Sequence, residues 1–210
     1  MNRGRFITFE GGEGAGKSTQ ARRLADRLRT HGREVVLTRE PGGSPGAEQL
    51  RALLVEGDAD RWSPLSETLM MYAARADHLQ RTIRPALARG AWVICDRFLD
   101  STRAYQGADA PPGLIAALEQ AVVGEELPDL TLVFDLPVET GLARAGARPG
   151  AEARFENKGL AFHQGLRAAF LAIAHDEPGR CAVIDAAADI DAVAEAVWAA
   201  VAARLAPEAV

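Results

Sequence analysis

The chain has 210 residues, of which 48% are hydrophobic and 25% are charged, and its formal net charge is −5. This composition is ordinary for one globular domain, and the lack of a lysine and arginine block argues against a nucleic-acid partner. No apolar run reaches about 18 residues, so we expect no membrane span and no membrane partner. Because the N-terminus enters a strand at once, we expect no signal peptide. Cys95 and Cys181 lie in apolar runs without metal-type spacing, which predicts reduced thiols in a cytoplasmic protein.

Short apolar segments alternate with helical patterns along the whole chain. The first helix shows the pattern, because Ala21, Leu24, Ala25 and Leu28 follow the spacing i, i+3, i+4, i+7. The predicted strands begin at Phe6 and cover 35–37, 91–95, 130–134 and 181–184, and the predicted helices cover 18–30, 47–55, 65–89, 101–105, 112–123, a segment after Pro137, 156–174 and 190–205. This alternation predicts a single α/β domain over 1–210, with a five-stranded parallel sheet flanked by helices.

The first strand leads into a glycine-rich segment, FITFEGGEGAGKST, which contains G-x-x-x-x-G-K-S from Gly11 to Ser18. This pattern is typical of a P-loop, whose backbone N–H groups and following helix N-terminus surround phosphates. Lys17 would contact the β- and γ-phosphates, and the Ser18 hydroxyl would hold Mg²⁺. A glycine-rich turn that binds nothing is the alternative, but the chain has only two lysines and places one here. The predicted ATP-binding residues of the loop are Gly11, Gly12, Glu13, Gly14, Ala15, Gly16, Lys17, Ser18 and Thr19.

Asp96 and Arg97 follow the apolar segment WVIC and therefore lie at the carboxyl end of a predicted strand. Ligands of parallel α/β sheets bind beyond these ends. Asp96 resembles a Walker-B carboxylate that orients Mg²⁺, although it could instead cap the following turn. The planar guanidinium of Arg97 suits a phosphate.

Five segments appear together in one order: Gly11–Thr19, Thr38–Gly43 (TREPGG), Met71–Arg75 (MYAAR), Asp96–Gly107 (DRFLDSTRAYQG) and Arg154–Asn157 (RFEN). In this combination the chain resembles thymidylate kinases over nearly its whole length. The resemblance implies phosphorylation of dTMP to dTDP with ATP and Mg²⁺. It also implies a P-loop nucleoside-monophosphate kinase fold with a small mobile lid, and a homodimer.

The same resemblance implies roles in binding the phosphate and sugar of dTMP. Arg97 would hold the phosphate, with Arg39 and Arg51 nearby. Glu13 would meet the 3′-hydroxyl, directly or through water and metal, and Tyr105 would lie against the deoxyribose. Arg51 could instead lie on the solvated face of its helix, and Tyr105 could be an ordinary residue of the hydrophobic core.

Further residues are implied around the thymine base. Arg75 would contact the O4 edge, and Glu40 would line the same pocket. Thr102 or Ser101, together with Gln106, would complete the pocket.

The chain departs from the family pattern at two positions. Met71 stands where the family usually has an aromatic ring that stacks on thymine, and a thioether can also lie against a π-face. Ala15 stands where some thymidylate kinases have a P-loop arginine.

Because of Ala15, the charge at the transferring phosphoryl group must come from elsewhere. The predicted source is the lid at 146–154, whose Arg148 and Arg154 lie among glycine and proline. The alternative is that these arginines only keep a surface loop soluble. Arg144 resembles the family residue that lies against adenine.

Two rival functions stand beside this interpretation. Another nucleoside-monophosphate or deoxynucleoside kinase would bind a different acceptor and would not need the TREPGG and STRAYQG segments. A GTP-dependent switch would need N-K-x-D, but Asn157 and Lys158 are followed by Gly159 and Leu160. No histidine is a convincing general base, and none is needed, since the second pKa of a phosphate monoester is about 6.

Overall fold

The computed structural model describes residues 3–58, 61–147 and 158–206. Five parallel strands form one sheet in the order β2-β3-β1-β4-β5. The strands are β1 Phe6–Gly11, β2 Val35–Arg39, β3 Trp92–Asp96, β4 Leu130–Asp135 and β5 Cys181–Asp185. The predicted α/β fold with a five-stranded parallel sheet is therefore confirmed.

Helices connect the strands and cover the sheet. They are α1 Lys17–Thr30, α2 Pro45–Val55, α3 Pro64–His78, α4 Arg84–Ala88, α5 Leu99–Gln106, α6 Leu114–Val122, α7 Val138–Gly146, α8 Leu160–Asp176 and α9 Ile190–Leu205. Within the described residues, no helix is both long enough and apolar enough to span a membrane.

The prediction of one uninterrupted helix over 65–89 is wrong. A π-helical turn at Leu79–Ile83 separates α3 from α4. Pro85 gives the reason, because it has no N–H to donate within a helix and its ring crowds the carbonyl one turn earlier. The sequence prediction also began the helix now called α8 at 156, whereas residues 158 and 159 precede it and the helix starts at Leu160.

The central strand β1 determines where the site lies. All six of its residues are buried, with Ile7 and Phe9 in the core beneath α1 and α9 and Phe6 on the opposite face against Phe98. The parallel register pairs Phe9 with Asp96, so the end of β3 lies beside the loop that leaves β1. The carboxyl ends of β1 and β3 therefore bring the P-loop and the Asp96 segment together.

Candidate active site

A cavity of about 380 Å³ lies over the carboxyl ends of these strands, between the P-loop and helices α2, α3 and α5. Most of the predicted site residues line it. They are Glu13, Gly14, Ala15, Gly16, Lys17, Ser18, Thr19, Arg39, Glu40, Arg51, Met71, Arg75, Asp96, Arg97, Ser101, Thr102, Tyr105 and Gln106. One cavity thus brings together the loop predicted for ATP and the residues predicted for dTMP.

The P-loop wraps around the amino group of Lys17. The Lys17 Nζ donates to the carbonyls of Gly11 at 3.0 Å and Gly12 at 2.6 Å. Burial and the nearby Arg97 lower the pKa of Lys17 to about 8. Gly14 has a φ of 67°, and a Cβ there would lie 2.0 Å from the Gly141 carbonyl oxygen, so only glycine fits. The loop holds a partly uncompensated cation at the position where phosphates bind in P-loop proteins.

Ser18 and Asp96 meet where α1 begins and β3 ends. The Ser18 hydroxyl donates to the Asp96 carboxylate. Hydroxyl and carboxylate oxygens are the ligands that Mg²⁺ prefers, so the donor set fits the predicted ion. These two residues could therefore hold the metal beside the P-loop.

Arg97, Glu13 and Tyr105 form a compact cluster in the cavity. Arg97 donates to Glu13 Oε1 at 2.8 Å, and the Tyr105 hydroxyl donates to the same oxygen at 2.6 Å. Burial alone would raise the pKa of Glu13, but Arg97, Lys17 and the Tyr105 hydrogen bond lower it to about 2. Arg97 has a φ of 69°, an uncommon conformation for a residue with a Cβ. The surrounding contacts must hold this backbone in place.

Arg75 is buried between the rings of Tyr72 and Phe98, whose centroids lie 4.8 and 5.1 Å from its guanidinium carbon. Its Nε donates to Glu40 at 2.7 Å, and its Nη2 donates to the Phe98 carbonyl and the Thr102 hydroxyl, both at 3.0 Å. Its Nη1 is buried and has no hydrogen-bond partner among the described residues. A guanidinium held so firmly with one free nitrogen can donate to a carbonyl oxygen of a ligand.

His78 lies behind Arg75 and was not predicted from the sequence. Its Nδ1 donates to Glu40 Oε1 at 3.0 Å, and its Nε2 lies 2.8 Å from the Thr38 hydroxyl. Burial would raise the pKa of Glu40, but Arg75 and His78 lower it, so Glu40 stays ionised. The signal for this contact is the i, i+3 spacing of Arg75 and His78, which places both on one face of α3. Glu40 therefore contacts Arg75 and His78 rather than standing as an isolated lining residue.

The remaining predicted base-pocket residues also have partners. The Gln106 side chain donates to Glu67 at 2.8 Å. The Ser101 hydroxyl donates to Glu10 at 2.6 Å and accepts from Arg97 at 3.2 Å, so it lies nearer the predicted phosphate side than the base side. Met71 lines the cavity from α3.

Two further arginines stand at the rim of the cavity. Arg51 donates to the Pro41 carbonyl at 2.7 Å, and Arg39 pairs with Glu48 at 3.0 Å. Both line the cavity, although Arg39 is half exposed. Their position supports a role as additional cations for an anionic ligand.

Not all predicted residues lie in this cavity. Gly11 and Gly12 contribute through their carbonyls to Lys17. Arg144, on α7, donates to the Ala186 carbonyl at 3.2 Å after β5. Arg148 and Arg154, and most of the predicted lid at 146–154, lie outside the described residues.

The parallel sheet, the P-loop and the adjoining cavity together define a P-loop nucleoside-monophosphate kinase. A family model described as thymidylate kinase matches residues 9–197. The chain is 68% identical to a thymidylate kinase of Caulobacter vibrioides, over 94% of this chain and 95% of that protein. It is 56% identical to a thymidylate kinase of Bradyrhizobium diazoefficiens, over 98% and 92% of the two chains.

A comparison with solved structures indicates the same family. A crystal structure of thymidylate kinase from Ehrlichia chaffeensis matches with a TM-score of 0.74 and 37% identity, over 94% of this chain and 97% of that one. The chain therefore belongs to the thymidylate kinase family. Members of this family phosphorylate dTMP to dTDP with ATP, and the chain is a phosphotransferase of that class.

Proposed function

We propose that the chain phosphorylates dTMP by direct in-line transfer from ATP within the cavity over β1 and β3. The observation that carries the proposal is that one cavity contains both the P-loop with Lys17 and a buried Arg75 with a free Nη1. The first suits the phosphates of the donor, and the second suits a carbonyl oxygen of the acceptor base. One cavity lined by both groups fits two nucleotides bound side by side.

The donor phosphates would lie on the P-loop backbone, over residues 11–19. Lys17 would turn from the carbonyls of Gly11 and Gly12 towards the β- and γ-phosphates. Ser18 and Asp96 would hold Mg²⁺, which when bound neutralises charge on the phosphate oxygens. Arg144, beside the Ala186 carbonyl, is proposed to lie against adenine.

The acceptor phosphate would be held by Arg97, with Arg39 and Arg51 as further cations. Glu13 would contact the 3′-hydroxyl, and its low pKa keeps it an acceptor at neutral pH. Tyr105, which already donates to Glu13, would pack against the deoxyribose and leave little room for a 2′-hydroxyl.

The thymine base would lie between α3 and α5. Arg75 would donate from its free Nη1 to O4, while Glu40 and Thr102 hold the guanidinium. Met71 would lie against the ring face, and Gln106 would close the pocket. The 5-methyl group offers only about 1–3 kcal/mol of discrimination. We therefore expect some activity with dUMP.

The direct test is ADP release measured with ATP and a series of nucleoside monophosphates. We expect dTMP to give the highest kcat/KM, dUMP a lower one, and purine monophosphates little turnover. If dTMP caused no ADP production while another monophosphate did, the chain would be a different nucleoside-monophosphate kinase.

We also propose that Arg148 or Arg154 supplies positive charge to the transferring phosphoryl group, because Ala15 supplies none. Charge that acts mainly in the transition state affects kcat more than ground-state affinity. Arg154→Ala or Arg148→Ala should therefore lower kcat by about 10²-fold or more with little change in the KM for dTMP. Near-normal kcat in both single variants would contradict the role of the lid.

A homodimer is proposed from an apolar surface on adjacent helices. Leu53 on α2 and Leu65 and Leu69 on α3 are each 40–45% exposed, and α6, which packs on α3, has no buried residue. Apolar patches of this kind mark protein interfaces. Light scattering should give twice the 22.4 kDa chain mass, and Leu69→Glu should shift it towards the monomer. A monomer mass for the unaltered chain at micromolar concentration would refute this.

A cytoplasmic location is the final part of the proposal. Its support is that both cysteines, Cys95 and Cys181, are buried free thiols. Such thiols are typical of reducing compartments, where ATP is also available.

A further inference from the structure

Glu10 is a fully buried carboxylate at the end of β1, with both oxygens engaged by the start of α5. Its Oε1 accepts from the backbone N–H groups of Phe98 at 2.7 Å and Ser101 at 3.2 Å. Its Oε2 accepts from the Ser101 hydroxyl at 2.6 Å. The first N–H groups of a helix have no acceptor inside the helix, and Glu10 on β1 provides an acceptor for those of α5.

The Ser101 hydroxyl connects Glu10 with Arg97. A hydroxyl has one hydrogen and two lone pairs, and a carboxylate can only accept. Because Ser101 donates its hydrogen to Glu10, its lone pairs are left for Arg97 Nη1 at 3.2 Å. The carboxylate therefore sets the direction of the hydroxyl that Arg97 uses.

Glu10 also holds the backbone on which Arg97 stands. Arg97 has a φ of 69°, and its own N–H donates to the Phe9 carbonyl at 2.9 Å, one residue before Glu10. The next N–H, of Phe98, donates to Glu10. An uncommon φ persists only where neighbouring contacts fix it.

We propose that Glu10 is a positioning residue that orients the Arg97 guanidinium towards the phosphate of the acceptor nucleotide, acting through Ser101 and the start of α5. This inference rests on the role given to Arg97 in the proposed function. Burial and the neighbouring Asp100 raise the pKa of Glu10 to about 8, whereas the hydrogen bonds from Ser101 and Phe98 and the charge of Arg97 favour the ionised form, which is the form that holds the Ser101 hydroxyl as a donor. A carboxylate in so unfavourable a place needs a reason beyond packing, and the hydrogen-bond direction of Ser101 gives one.

The main test is Glu10→Gln, measured above pH 8 where Glu10 is ionised, because the amide keeps the shape and removes one acceptor. Its amide N–H would donate to the Ser101 hydroxyl, which would lose the acceptor that fixes its direction and would no longer be held with its oxygen towards Arg97 Nη1. We expect the KM for dTMP to rise about 10-fold, the KM for ATP to stay within about twofold, and kcat to change less than KM. The KM for dUMP should rise by the same factor as that for dTMP, because the two nucleotides share the phosphate.

Ser101 provides variants that do not disturb the buried carboxylate. Ser101→Ala removes the connecting hydroxyl and should raise the KM for dTMP in the same way, whereas Ser101→Thr keeps a hydroxyl and should restore it. The double variant of Glu10→Gln with Ser101→Ala should be no worse than Glu10→Gln, because both act along one path. Ser101→Ala also keeps the inference testable if Glu10→Gln does not fold.

A matched control is Ser63→Ala, which removes a helix cap outside the cavity. The Ser63 hydroxyl accepts from the Ser66 N–H at 3.2 Å at the start of α3. Ser63→Ala should lower Tm slightly and leave the KM for dTMP unchanged. If Glu10→Gln and Ser101→Ala behave like this control while Arg97→Ala raises the KM, Glu10 is only a structural cap and the inference is wrong. If Arg97→Ala itself leaves the KM unchanged, the role proposed for Arg97 is what fails.

Discussion

Helix α5 separates two clusters of arginines and carboxylates, one that lines the cavity and one that lies away from it. On one side lies the cleft cluster, defined as Glu13, Arg97 and Tyr105, which faces the cavity. On the other side lies a structural network, defined as Asp100, Arg103, Glu119, Glu177 and Arg180. In the network, Arg180 makes two bonds of 2.7 Å to the fully buried Asp100 and one of 2.6 Å to Glu177. Each charge of the network has an oppositely charged partner within it.

The cavity, in contrast, holds an excess of positive charge. In the described part of the chain, six cationic side chains and three carboxylates line it. Burial and Arg97 lower the pKa of Lys17 to about 8, whereas Asp100 and Glu177 outweigh burial and raise the pKa of Arg180. Similar residue types thus serve two purposes. The network stabilises the fold, and the cavity is arranged to be completed by anionic nucleotides.

The largest expected effect is on the cleft side. Arg97→Ala should lower kcat/KM for dTMP by about 10³-fold, equivalent to about 4 kcal/mol, because in the proposed function Arg97 is the main cation at the acceptor phosphate. Steady-state kinetics with varied dTMP would measure this. Arg103→Met, on the other side of α5, is the matched control and should leave kcat/KM within a few-fold. Equal kinetic losses in both variants would remove the distinction between the two clusters.

The next effect should appear in stability and not in catalysis. Among the described residues, Arg180→Met leaves the buried Asp100 with Arg103, at 3.3 Å, as its one remaining charged partner. We expect the free energy of unfolding to fall by about 3 kcal/mol, with kcat/KM of the folded protein unchanged. Urea denaturation would measure it. Arg29→Met, which breaks the exposed pair with Asp26, should cost less than about 1 kcal/mol. A cost no larger than this control would mean that the network does not stabilise the fold.

A third effect depends on pH and concerns Glu13, whose pKa of about 2 lies below its usual 4.5. Below pH 4.5 the unfolded chain binds a proton that the folded chain does not. The contribution of Glu13 to the free energy of unfolding should therefore fall by about 1.4 kcal/mol per pH unit as the pH drops from 4.5 towards 2. Glu13→Gln should remove that part of the slope in urea denaturation at a series of pH values. An unchanged slope would mean that the Arg97 and Tyr105 contacts do not favour the ionised form.

The smallest effect is expected at Met71. A thioether against a ring contributes about 0.3–1.5 kcal/mol, so Met71→Phe should leave the KM for dTMP unchanged or lower it slightly. Competition kinetics with dTMP and dUMP would detect a change of this size. A large loss of kcat/KM would show that Met71 does not occupy the position of the family's stacking ring.

The P-loop could be predicted because its fixed positions, such as the glycine at Gly16 and the lysine at the start of α1, are neighbours in the sequence. The π-helical turn at Leu79–Ile83 was missed because the periodicity of α3 continues across it, and only the crowding by Pro85 pointed to a break. The residue roles, including those of Arg148 and Arg154, stay predictions.

The sequence by itself determined the order of strands and helices, the P-loop and the family, because these depend on periodicity and on motifs of neighbouring residues. The tertiary structure decided which distant side chains form hydrogen bonds and ion pairs with each other. Glu10 meets Ser101 across 91 positions, and Arg75 meets Glu40 across 35, and neither pairing has a local signal. That no described residue provides a hydrogen-bond partner for Arg75 Nη1 is likewise a property of the folded packing. Burial then set the pKa values of Lys17 and Glu13 that distinguish the cavity from the network.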